Sequence, residues 1–72
     1  MSAEQAIIER VMEFSRKSTG YHKKYLHVIE KRLRLFDENF TLKTKFIEST
    51  GTRDAQEATD EQVAKFIRDW IV

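Results

Sequence analysis

Between Tyr21 and Glu48 the chain runs for 28 residues, YHKKYLHVIEKRLRLFDENFTLKTKFIE, with neither Pro nor Gly. No other feature limits the possible folds as much. Wound as a helix at about 100° per residue, this stretch divides into sectors. Tyr25, Leu26, Ile29, Leu33, Phe36, Phe40 and Ile47 share one side, and Leu26, Leu33, Phe40 and Ile47 recur at heptad spacing. Val28, Leu35, Leu42 and Phe46 form a second apolar stripe about 120° away. Lys23, His27, Glu30, Arg34, Asp37, Glu38, Thr41, Lys45 and Glu48 take the polar side. A helix with two apolar stripes needs two neighbours. The expectation is therefore an all-α fold of three helices, with a long central helix over about 21–49 flanked by two shorter ones.

A rival pattern lies inside the same stretch. Residues 40–46 read FTLKTKF, alternating apolar and polar with Thr at strand-favouring positions. Asp37, Glu38 and Asn39 would serve as a turn after residues 32–36. The alternative architecture is α-β-β-α with a hairpin at 31–47. The single helical wheel that accommodates everything from Tyr25 to Ile47 favours the helix.

The flanking helices carry start and stop signals. Ser2 and Gln5 have capping-box spacing, and Ile7, Ile8, Val11, Phe14 and Ser15 share a face, which predicts a helix over about 3–18 with Gly20 as a left-handed C-cap. Thr59 and Gln62 repeat the capping box, and Val63, Phe66, Ile67, Trp70 and Ile71 then give an apolar face to a helix from Asp60 onward. Trp70 is expected in the core. Gly51 is a second expected C-cap, followed by a polar connector over 52–58.

Seventy-two residues suffice for one small domain, spanning 1–72. The chain has no Cys, which removes disulfides and thiolate metal sites. No run of about 18 apolar residues offers a membrane-spanning helix. The first residues carry acids where a secretion signal needs bases, so a cytoplasmic location is the default expectation.

Charge is distributed unevenly. Residues 10–34 hold eight basic residues against two acidic ones, and residues 48–72 hold three against six. Mutual attraction of the two parts within the fold is the plain reading. A basic surface for an acidic partner or nucleic acid is the sharper one.

The sequence holds few reactive constellations. The glycines are isolated, so there is no phosphate-cradling loop. His22 and His27 are five apart and face different ways on a helix, unlike the i,i+4 pair of a helical zinc site. Asp37 and Glu38 are adjacent and diverge. No catalytic residues, metal ligands or cofactor are expected, and the chain does not read as an enzyme. The preferred reading is a small accessory or regulatory protein–protein interaction module, a homodimer that also binds another protein, one of acidic character in the sharper version, through Val28, Leu35, Leu42 and Phe46. The second reading is a small nucleic-acid-binding or nucleoid-modulating protein that uses the basic 10–34 region, with Lys23, Lys24, Lys31 and Arg34 tracking phosphates.

Overall fold

The first helix, α1 (Ala3–Lys17), starts where the sequence places it: the Gln5 amide donates to Ser2 Oγ at 3.0 Å. Its period-3.6 apolar face buries Ile7, Ile8, Val11, Met12 and Ser15. A computed structural model describes residues 2–72. Its elements after α1 are α2 (Tyr21–Lys24), α3 (Leu26–Glu38), α4 (Leu42–Thr50), a 3-10 turn (Ala55–Glu57), α5 (Asp60–Phe66) and a terminal π-helical turn (Ile67–Ile71). Helix accounts for 79% of the described residues and no strand occurs among them, so the all-α class holds and the hairpin at 31–47 is absent.

The long central helix over 21–49 is not formed. It is interrupted lightly at Tyr25 and decisively over 39–41, which leaves three helices, α2, α3 and α4, in its place. A straight helix of that length would extend roughly 42 Å at 1.5 Å per residue, whereas the molecule measures 28 × 23 × 23 Å along its principal axes. The break is a Schellman-type stop. The Thr41 amide donates to the Phe36 carbonyl at 3.0 Å, and the Phe40 amide to the Asp37 carbonyl at 3.0 Å. Asn39 Nδ2 caps the Leu35 carbonyl at 2.7 Å. Phe40 then occupies the left-handed position, φ 58°, that glycine usually takes.

Folding α4 back brings Leu42 and Phe46 into the core, against the buried faces of α1, α3 and α5. Phe46 meets Phe66 edge-on, with ring centroids 5.2 Å apart. Ile29 and Leu33 supply the buried face of α3, while Leu26 and Phe36 pack at its margin. Phe40, expected beside Leu33 in the core, is instead 91% exposed, because the left-handed residue turns the chain outward there.

Gly51 closes α4 in the left-handed conformation, φ 75°, as expected. Gly20 does not cap α1: Ser18 does, its amide and hydroxyl both donating to the Phe14 carbonyl at 3.0 and 2.8 Å. Gly20, at φ 71° and ψ −128°, opens α2 instead, in backbone territory reserved for glycine. The Thr59–Gln62 capping box is complete, with bonds of 3.2 and 2.9 Å.

Trp70 is a further correction, since it is exposed and Ile71 is buried. The last turn winds i→i+5, with the Val72 amide donating to the Ile67 carbonyl at 2.9 Å. That wider turn returns the fourth residue after Ile67 to the core and carries the third away from it. Asp69, on the same turn, receives Lys65 Nζ at 2.7 Å and the Ser49 hydroxyl at 3.0 Å; these two bonds hold its carboxyl below the usual range, and the Ser49 bond ties α4 to the C-terminal turn.

Arg10 joins the basic and acidic parts of the chain at one point. It donates to the Ala58 carbonyl at 2.9 Å and to Asp60 Oδ1 at 2.8 Å, fastening α1 to the start of α5. The core also contains one unfavourable group: Ser15 is fully buried and its hydroxyl has no hydrogen-bond partner. Ser15→Ala is expected to raise unfolding stability by about 1 kcal/mol, because it removes an unpaired buried hydroxyl at almost constant volume. Urea denaturation checks this, and a loss of stability would mean that the hydroxyl is satisfied in solution.

Candidate interaction surface

The buried stripe of α3 leaves a second side of that helix, about 120° around the axis, open to solvent. On it lie Val28 and Leu35, seven residues apart and both exposed, Leu35 by 48%. At about 100° per residue they sit within about 20° of each other around the axis. Two of the four stripe residues expected to meet a partner are therefore on the surface. The other two, Leu42 and Phe46, are fully buried, because the break over 39–41 rotates α4 relative to α3. The expected stripe Val28, Leu35, Leu42 and Phe46 is not one surface.

Leu35 leads into a groove of about 400 Å³ at the α3–α4 corner, lined by Arg32, Leu35, Phe36, Asn39, Thr41 and Lys45. Phe40 projects from the same corner. Two cations border the groove and both are held in place. Arg32 donates to the Ile71 carbonyl, which fixes α3 to the terminal turn. Lys45 Nζ stands 4.3 Å from the centroid of the exposed Trp70 ring and 3.5 Å from Glu48 Oε2. The corner thus combines exposed aromatic and aliphatic area with positioned positive charge, the composition of an interface core with a polar border.

Of the residues expected to track phosphates, Lys23 and Lys24 lie on the single turn of α2, and Lys31 and Arg34 lie on α3; all four are exposed. Arg34 is paired with Glu30 at 3.4 Å. Lys24 Nζ is 5.6 Å from the Tyr25 ring, and Tyr21 and Tyr25 stack obliquely with centroids 4.6 Å apart. No group of three or more potential metal ligands occurs among the described residues. Their helices are also too short or too polar to cross a membrane.

Sequence reasoning missed Phe40 and Trp70 as surface residues. Asn39 was the available signal for Phe40, since Asn is a frequent helix-ending residue, but the absence of Gly at position 40 concealed the stop. Compared with protein-family models, curated proteins and solved structures, the chain matches none.

Proposed function

We propose that this chain is a small protein–protein interaction module, an accessory or regulatory protein whose contact surface is the outer side of α3 with the α3–α4 corner, and that it self-associates there. One observation carries the reading. Phe40, a bulky aromatic residue, is held in left-handed backbone at 91% exposure. Left-handed backbone costs an L-residue about 1–2 kcal/mol, and the exposed ring returns nothing to the isolated fold. Strain of this kind tends to persist where a surface is kept for contact.

Sedimentation of the wild type beside Leu35→Glu tests the reading. At about 100 μM, where even a micromolar dimer forms, the wild type is expected to sediment as a dimer and Leu35→Glu as a monomer. A monomeric wild type would refute self-association. A dimer unaffected by Leu35→Glu would place the contact elsewhere.

The exposure of Lys23, Lys24 and Lys31 supports the second reading, nucleic-acid binding. Its signature is duplex affinity that falls steeply with salt and weakens when these lysines are replaced by Gln. Strong, salt-sensitive duplex binding by Leu35→Glu would favour this reading over the first.

A further inference from the structure

We propose that the occupant of the outer face of α3 is the same face of a second copy, running antiparallel, with Leu35 on the two-fold axis. This rests on the interaction reading above and specifies its geometry. Charge order along the helix favours this pairing. Lys31 lies four residues before Leu35 and Glu38 three after it. By helical geometry both are displaced about 40–60° to the same flank of the Leu35 line, roughly 6 Å and 4.5 Å from Leu35 along the axis. A two-fold axis through Leu35 reverses the helix and brings each flank against itself. Lys31 then stands opposite Glu38 of the second copy, and Glu38 opposite its Lys31. No salt bridge among the described residues uses either side chain, so both are free to pair between copies.

The other flank agrees. Arg32, three before Leu35, falls opposite Asn39 of the second copy, beside the carbonyl end of that copy's α3, where a cation is favoured. Val28 lies roughly 10 Å before Leu35 along the axis, towards the corner from which Phe40 of the second copy projects. A parallel, in-register two-fold pair would exchange the flanks and set Lys31 against Arg32 of the second copy, which is repulsive, and Glu38 against Asn39, which forms no ion pair. The face is thus complementary to itself in one orientation only.

The chain contains no cysteine, so single-cysteine variants of the full protein report proximity directly. On mild oxidation Leu35→Cys is expected to form a covalent dimer about tenfold faster than Arg16→Cys, an exposed control on α1, as a fixed contact raises effective concentration. Val28→Cys is expected to match the control. Charge exchange gives an independent measurement. Lys31→Glu and Glu38→Lys, each alone, are expected to weaken the dimer about tenfold, and the double variant to recover most of that loss, as paired charges across an interface do. The antiparallel pair is overturned if Val28→Cys cross-links as fast as Leu35→Cys, if Leu35→Cys is no faster than the control, or if the double charge variant is no stronger than the single ones. If any of these occurs while Leu35→Glu still abolishes the dimer, the interaction surface stands and only the orientation falls. A monomeric wild type overturns the pairing and the proposed self-association together.

Discussion

Phe46→Ala should destabilise the fold by about 3–5 kcal/mol, the range for truncating a buried Phe. Phe46 has no exposed surface, and its ring meets Phe66 edge-on at 5.2 Å. Removing it deletes a ring contact between α4 and α5 and leaves a cavity the neighbouring helices cannot fill without moving. A loss of that size is a large share of the stability of a small domain. Leu35→Ala provides the contrast. Leu35 belongs to the same stripe on a continuous helical wheel, yet its surface position limits the effect on monomer stability to about 0.5 kcal/mol. Chemical denaturation of both variants, at a concentration low enough to keep the wild type monomeric, checks the pair. A loss below about 1 kcal/mol for Phe46→Ala would mean that α4 does not fold back in solution and that the stripe is continuous after all.

Phe40→Gly should act in opposite directions on folding and on association. Glycine adopts φ 58° freely, so the substitution relieves about 1–2 kcal/mol of left-handed strain. Glycine's greater freedom in the unfolded chain offsets roughly 0.5–1 kcal/mol of that gain. The exposed ring contributes no core packing to lose. The monomer is therefore expected to gain about 1 kcal/mol of stability. The dimer is expected to weaken at the same time, because the ring is the most exposed large apolar group on the contact surface. A variant that folds better and associates worse is the expected outcome where a strained residue is retained for binding. Thermal unfolding and sedimentation equilibrium measure the two quantities separately. If Phe40→Gly destabilises the monomer, the ring packs against the fold in solution and the strain argument fails.

The local signals in this chain were legible because each depends on neighbours in sequence. Ser2 with Gln5, Thr59 with Gln62, and Gly51 act within one helical turn, and the structure places all of them at helix ends. The buried faces of α1 and α3 were equally legible, since Ile7, Val11, Ile29 and Leu33 follow one uninterrupted period. Val28 and Leu35 were placed correctly on the outer side of α3 for the same reason.

The angle between α3 and α4 was a different kind of question. A heptad through Leu26, Leu33, Phe40 and Ile47 and a bend at Phe40 fit the same letters, because no Gly or Pro marks the stop. The bend follows from burial: Phe66 and Val63 on α5 offer Leu42 and Phe46 a buried site that a straight helix would leave empty, and this outweighs the left-handed strain at one residue. Trp70 was misplaced for a similar reason, carried out of the core by a widened last turn that no local pattern announces, while Ile71 stayed buried. The sequence alone determined the all-α class, the starts of α1 and α5 and the outward face of α3. Where the chain bends, and so which half of the second stripe meets solvent, was decided by contacts between residues distant in sequence, which a helical wheel does not represent.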